Sequence, residues 1–207
     1  MRPVQTDPDI AATAALIGDP SRAAILMALA DGRALPAGEL ARYARISPQT
    51  ASTHLDRLFK GNLISVAVQG RHHYYRLRDE RVAQMIERLA AIAPSRPAFT
   101  PTQRREAQTL RFARTCYGHL AGRLGVAVSE AFCRAGFLIE DDSTYRITEP
   151  GKVWFGQFGV AVDFLRNGTK RPLTRWCIDW SERRHHLAGS LGVALTQRLF
   201  EINWIVR

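Results

Sequence analysis

Residues 46–64 read ISPQTASTHLDRLFKGNLI, and this stretch decides the fold of the first half of the chain. Ser47 is a natural helix N-cap, because its hydroxyl can accept from one of the unpaired amides of a first turn. Pro48 follows at the first helical position, where its missing N–H costs nothing. Ala51, Leu55, Leu58 and Phe59 recur at spacings of three and four, the stripe of a helix facing a core. The other face carries Gln49, Thr50, Ser52, Thr53, Asp56, Arg57 and Lys60. These are short, polar and on balance basic, suited to base edges and phosphates in a major groove. Asn62 can adopt the left-handed conformation that stops the helix. The stretch reads as a DNA recognition helix.

Working backwards, Asp9–Ile17 reads as a short helix. Asp19 can cap a second that begins at Pro20 and carries Ile25, Leu26 and Leu29. A third runs from Pro36 to Tyr43 with Leu40 buried. The order is helix, turn, helix with the last member presented. Working forwards, the period drops from near 3.6 to two. Residues 63–68 and 72–77 flank the turn Gln69-Gly70-Arg71, a hairpin that forms a wing. Arg81–Ala93 is then a helix with Val82, Met85, Ile86, Leu89 and Ile92 along one stripe. It has no evident partner within a first domain of residues 1–93, so a second chain is expected to cover it.

Residues 9–93 resemble the ArsR/SmtB family of winged-helix transcriptional repressors. The resemblance is carried by LIGDPSRAAILMAL, SPQTASTHLDRLFKGNLI and QGRHHYYRL. It implies a homodimer joined through its first and last helices that reads a palindromic operator in double-stranded DNA. By the same resemblance Gln49, Thr50, Ser52, Thr53 and His54 line the major groove, with Ser47 and Arg57 beside them, and Arg71 at the wing tip meets the backbone or minor groove. The residues alone leave His54 equally able to pack inside the domain. The family's metal sites are mostly missing. The segment before the recognition helix has no Cys or His, and the last helix offers Asp79 and Glu87 without imidazole or thiolate.

The whole chain has 207 residues and a formal charge of +10, a balance that suits a polyanionic partner. Its three cysteines, Cys116, Cys133 and Cys177, show no CxxC spacing, which argues against a disulfide scaffold and for a reducing cytoplasm. No signal-peptide core and no run of transmembrane length is evident, so a cytoplasmic protein without a membrane partner is expected. No phosphate loop, GxSxG or HExxH motif is present, and no catalytic residue is assigned.

Residues 94–101 hold three prolines and read as a linker to a second, mostly helical domain at 102–207. The expected fold class is mainly α with small β-hairpins. Residues 104–114 are an Arg-rich helical stretch, 118–125 a flexible one. A helix, AGFLI, a hairpin and TEPGK then make the pattern of a second, degenerate winged-helix unit. HLAGRLGVAV at 119–128 returns as HLAGSLGVAL at 186–195, offset by 186 − 119 = 67 positions. Each copy has a cysteine upstream, which suggests two related units packed together. Cys116 and His119, three apart, would share one face of a helix. Cys177, His185 and His186 would join them if the copies pair, giving soft ligands for a metal ion or a reactive thiolate. The commoner role of a free cysteine is a small buried hydrophobe. Trp154, Phe158, Phe164, Trp176, Trp180 and Trp204 suggest instead a core or an aromatic-lined pocket, so a small organic effector is favoured over a metal ion or thiol oxidation as the signal, and no cofactor is assigned.

Overall fold

A computed structural model describes residues 8–70, 72–94, 100–168 and 171–206. The chain forms two compact units, Met1–Val82 and Ala83–Arg207. The division falls inside a helix, not after residue 93. The proline-rich segment at 94–101 lies largely outside the described residues. Among those described, no single helix is long and apolar enough to cross a membrane.

The first unit opens with α1 (Ile10–Ile17), capped by Asp9, and α2 (Pro20–Ala28), capped by Asp19 as its sequence predicts. Arg22 of α2 is buried and donates to the carbonyls of Ala15 and Leu16, satisfying the C-terminal end of α1. Strand β1 (Leu35–Pro36) and α3 (Ala37–Ala44) follow, and α3 ends on a left-handed Arg45. Helix α4 (Pro48–Lys60) starts at Ser47, whose hydroxyl accepts from the Thr50 amide. Ala51, Leu55 and Leu58 are buried, and Phe59 is not: it is 44% exposed, at the solvent edge of the stripe. Asn62 takes the expected left-handed conformation. The wing is β2 (Ile64–Gln69) against β3 (His72–Leu77), antiparallel from Ile64↔Leu77 to Gln69↔His72, with β1 on the far edge of β3. Helix α5 (Glu80–Ile92) crosses into the second unit, where Ala83, Ile86, Glu87 and Ala91 are buried.

The second unit departs from the helical reading of its start. Helix α6 (Pro101–Phe112), held by a Thr100–Gln103 capping box, stops at Phe112. Residues 114–121 then form a hairpin, β4 (Arg114–Cys116) and β5 (His119–Ala121), not a helix end followed by a flexible link. The reason is local: Tyr117 and Gly118 both take positive φ, the geometry of a two-residue hairpin turn. Helix α7 (Gly122–Arg134), the hairpin β6 (Leu138–Asp141) and β7 (Thr144–Ile147), α8 (Glu149–Gln157) and α9 (Val162–Gly168) come next. A third hairpin, β8 (Arg175–Ile178) and β9 (His185–Ala188), leads into α10 (Gly189–Glu201).

The echo in sequence is an echo in structure. β4–β5–α7 and β8–β9–α10 are two copies of one motif, and each helix packs on the last strand of the other copy. The Leu120 amide donates to Thr196 Oγ1 of α10, and the Leu187 amide donates to Ser129 Oγ of α7, each at 2.8 Å. Gly125 and Gly192 have to be glycine, since a Cβ would lie 2.5 Å from the Leu120 and Leu187 carbonyl oxygens respectively. The core of this unit gathers Leu120, Phe132, Leu138, Tyr145, Phe155, Leu187, Leu191 and Leu195.

Candidate DNA interface and a buried thiol–imidazole centre

On α4, Gln49, Thr50, Ser52, Thr53 and Arg57 are exposed together, as their spacing predicts. Ser47 is also exposed but spends its hydroxyl on the Thr50 amide and side chain. Thr53 Oγ1 donates back to the Gln49 carbonyl, leaving its lone pairs outward. His54 is different. Its side chain is 12% exposed, with Nδ1 3.4 Å from Arg22 and 4.0 Å from Asp19, so the ring packs against α2 inside the unit. Asp19 is held below the usual carboxylate range, first by accepting from the Arg22 amide and further by the Arg22 and His54 charges. Arg71 lies outside the described residues.

In the second unit the two hairpins place their cysteines and histidines by the same register. Cys116 faces His119 across β4–β5, and Cys177 faces His186 across β8–β9. Since cross-strand partners share a face, each hairpin presents one thiol and one imidazole side by side. β5 lies beside β9, which brings the two pairs together. Cys116, His119, Cys177 and His186 are all buried, and one ligand atom from each lies within 4.8 Å of the other three. The sulfurs are 3.9 Å apart and the two Nε2 atoms 3.1 Å apart. Ala121 and Ala188, both fully buried, pack with the two cysteines in one small cluster.

Burial holds the His119 imidazole below its ordinary range, the neutral state that its hydrogen bond with His186 uses. The two thiols are shifted in opposite directions. The bond from Cys116 holds Cys177 well down, with help from both imidazoles. The same bond, then burial, pushes Cys116 well up. Cys177 is thereby the readier of the two to lose its proton.

The remaining effector candidates stand aside. His185 is exposed and stacks on Trp176 at 4.4 Å. It matches Gly118 of the first copy, while His186 matches His119. Trp180 lies under the Arg114 guanidinium. Arg114, expected on an exposed basic helix, is in β4 with its side chain 9% exposed, between Asp179 at 2.9 Å and Glu87 at 3.5 Å. Asp179 also accepts from the amides of Gly122, Ser181 and Glu182. Burial pushes its carboxyl up more than any single neighbour pulls it down, but Arg114 and these donors together hold it low. A cleft of about 540 Å³, lined by Glu87, Arg88, Trp176, Cys177 and His185 among others, opens beside Cys177.

Comparison with known proteins fits this anatomy. A family model described as a helix-turn-helix domain matches residues 17–67, the span from the end of α1 into the wing. The HTH-type transcriptional regulator YdfF of Bacillus subtilis (strain 168) is 47% identical over 201 residues, covering 97% of this chain and 88% of its own. The chain belongs to the HTH-type transcriptional regulators. It is a DNA-binding protein, and its N-terminal winged helix is of the kind the ArsR/SmtB motifs indicated. Two solved structures are similar over less than half of this chain. The homodimeric winged helix-turn-helix domain of Mb0332 from Mycobacterium bovis is 26% identical over 40% of this chain and 76% of its own, at a TM-score of 0.38. The cadmium sensor CMTR of Mycobacterium tuberculosis is 29% identical over 44% and 95%, at 0.36. The relative YdfF, by contrast, spans the regulator's second unit as well.

Sequence reasoning missed Arg114, Asp179, Ser129 and Thr196 as organising residues. Extending the echo by one position pairs Ser129 with Thr196, two small hydroxyls at a shared site, so that signal was available. Asp179 followed by Ser181 and Glu182 was also readable as a side-chain-capped turn. Nothing local marked Arg114, whose partners come from distant segments.

Proposed function

We propose that this regulator is a homodimeric repressor that sets one α4 into each half-site of a palindromic operator and leaves the DNA when its second unit receives a signal. The exposed face of Gln49, Thr50, Ser52, Thr53 and Arg57, with the wing beside it, supports base readout with flanking phosphate contacts. The dimer is supported by the apolar surface of the two helices that the ArsR/SmtB resemblance places at the interface. α1 buries none of its residues, Ile10 is 76% exposed, and Leu89 and Ile92 of α5 are open. The relative Mb0332 is homodimeric in its winged-helix domain. Repression, and the palindrome, come with the family resemblance.

The observation that carries the signalling role is the buried Cys116–His119–Cys177–His186 centre. Four such groups converging without solvent are costly unless a ligand or a redox change uses them. It shifts the balance away from the organic effector favoured by the sequence. The cleft beside Trp176, whose Nε1 is buried without a hydrogen-bond partner among the described residues, keeps an organic ligand as the second reading.

The test is DNA binding by the full-length protein to sites it selects from a random pool, measured against unselected DNA. Gln49→Ala and Thr53→Ala should each lose about 1–3 kcal/mol of discrimination. Metal, oxidant and aromatic metabolites are then titrated against wild type and Cys177→Ser. Release by metal or oxidant that Cys177→Ser abolishes supports the centre as sensor. Release by a metabolite in both proteins moves the sensor to the cleft, and DNA binding indifferent to every probe makes the protein a constitutive binder.

A further inference from the structure

The four buried groups have a geometry that selects a ligand. A four-coordinate zinc ion with Zn–S near 2.3 Å and Zn–N near 2.05 Å would separate two sulfurs by about 3.8 Å and two nitrogens by about 3.3 Å. The sulfurs of Cys116 and Cys177 are 3.9 Å apart, and Nε2 of His119 and of His186 are 3.1 Å apart. Both tetrahedral edges are thus present to within a few tenths of an ångström. The charge also closes: two thiolates and two neutral imidazoles cancel one divalent cation, as a buried site requires. No hydrogen bond outside the centre holds the His186 ring. Its Nδ1 is buried without a partner among the described residues, and its hydrogen bond runs to His119.

We infer that Cys116, His119, Cys177 and His186 form a closed zinc site that joins the two copies of the repeat, with one thiolate and one imidazole from each hairpin. The inference deepens the reading above, in which this unit receives the signal, by naming the ligand class. A set of two sulfurs and two nitrogens in a tetrahedron favours Zn²⁺ over the oxygen-seeking Mg²⁺ and Ca²⁺. Four protein ligands leave no open position, so the ion staples and reports but does not hydrolyse. Loading displaces the thiol protons to solvent and ties β5 to β9, and removal releases that tie. Cys177 also lines the cleft, which gives an ion a way in.

The experiment uses the reduced full-length protein, stripped with chelator and titrated with Zn²⁺ in competition with a chromophoric chelator. Co²⁺ is the spectroscopic stand-in. One equivalent of zinc per chain is expected. With cobalt, intense visible bands of a tetrahedral ion and a near-ultraviolet thiolate charge-transfer band should appear. Cys116→Ser and Cys177→Ser should each lose about half of that charge-transfer intensity, and the double variant all of it. Circular dichroism checks that each variant is folded. Should the variants fail to fold, native mass spectrometry of wild type alkylated by iodoacetamide with and without zinc still decides the matter, because bound zinc must slow the alkylation of two of the three cysteines relative to the stripped protein. No zinc uptake by the reduced wild type, a weakly coloured octahedral cobalt spectrum, or cobalt charge transfer surviving in the double variant would each overturn the site. So would a Cys116–Cys177 disulfide forming in air at the same rate with and without zinc. Tight zinc binding with unchanged DNA affinity would keep the site and remove its signalling role, so the two readings fail separately.

Discussion

The two copies of the repeat, β4–β5–α7 and β8–β9–α10, agree in everything they bury against each other and differ in what surrounds that contact. Inside, each gives a cross-strand Cys–His pair, a glycine beneath a carbonyl, and a hydroxyl that takes the other copy's amide. Outside, the first hairpin closes in two residues at Tyr117-Gly118, whereas the second carries Asp179–Arg184 between its strands. That longer loop is what supplies Asp179, which caps the first copy's α7 through the Gly122 amide and holds Arg114 of its β4. The lesson is that near-symmetry builds the centre, and a single asymmetric insertion fastens it.

The largest effect should come from cutting that fastener. Asp179→Ala removes the acceptor of three backbone amides and leaves buried Arg114 with Glu87, at 3.5 Å, as its remaining acidic partner among the described residues. Breaking a buried ion pair by removing one partner typically costs about 3–5 kcal/mol. Urea unfolding of the second unit should show a lower midpoint at unchanged slope. A cost below about 1 kcal/mol would mean that the loop is decoration, and that the copies hold each other by their shared core alone.

The shared core can be tested by symmetry itself. Ser129→Ala and Thr196→Val each leave one buried amide, of Leu187 or Leu120, without its acceptor. Each should cost about 1–3 kcal/mol, the penalty of an unsatisfied buried donor. The two values should agree within about 0.5 kcal/mol. The double variant should approach the sum, because the two bonds share no atoms. A large gap between them in chemical denaturation would show that the second copy has become a passive support.

How much of this was legible in the sequence differs between the units for a physical reason. Residues 46–64 declare themselves because capping, period and stop signals are all local: Ser47, Pro48, the Ala51–Leu55–Leu58 stripe and Asn62 each do in the structure what their chemistry dictates. Phe59 and His54 strayed, since a helical wheel cannot say how wide the neighbouring helix is or that Arg22 waits behind His54. The second unit was readable as a repeat, and its β6–β7 hairpin was expected, but the two hairpins of the repeat itself were not. In 114–121 the strands are three residues each, too short for a period of two to stand out from a helix end. The expectation that Cys116 and His119 meet was right in outcome and wrong in mechanism, because they meet across a turn and not along a helix.

The smallest expected effect isolates that register. His185 and His186 are adjacent in β9, so their side chains point to opposite faces, and a slip of one residue would exchange their roles. The structure puts His186 in the centre and His185 outside, stacked on Trp176. His185→Ala should therefore lose only the stacking contact, about 0.5–1.5 kcal/mol beyond the small area involved. Zinc stoichiometry and the cobalt spectrum should be those of wild type. His186→Ala, by comparison, should lose tetrahedral cobalt binding while keeping its secondary structure. If His185→Ala removed the metal and His186→Ala did not, the pairing of β8 with β9 would be displaced by one residue. Cys177 would then face a different partner, and the match between the two copies, on which the whole centre depends, would be lost.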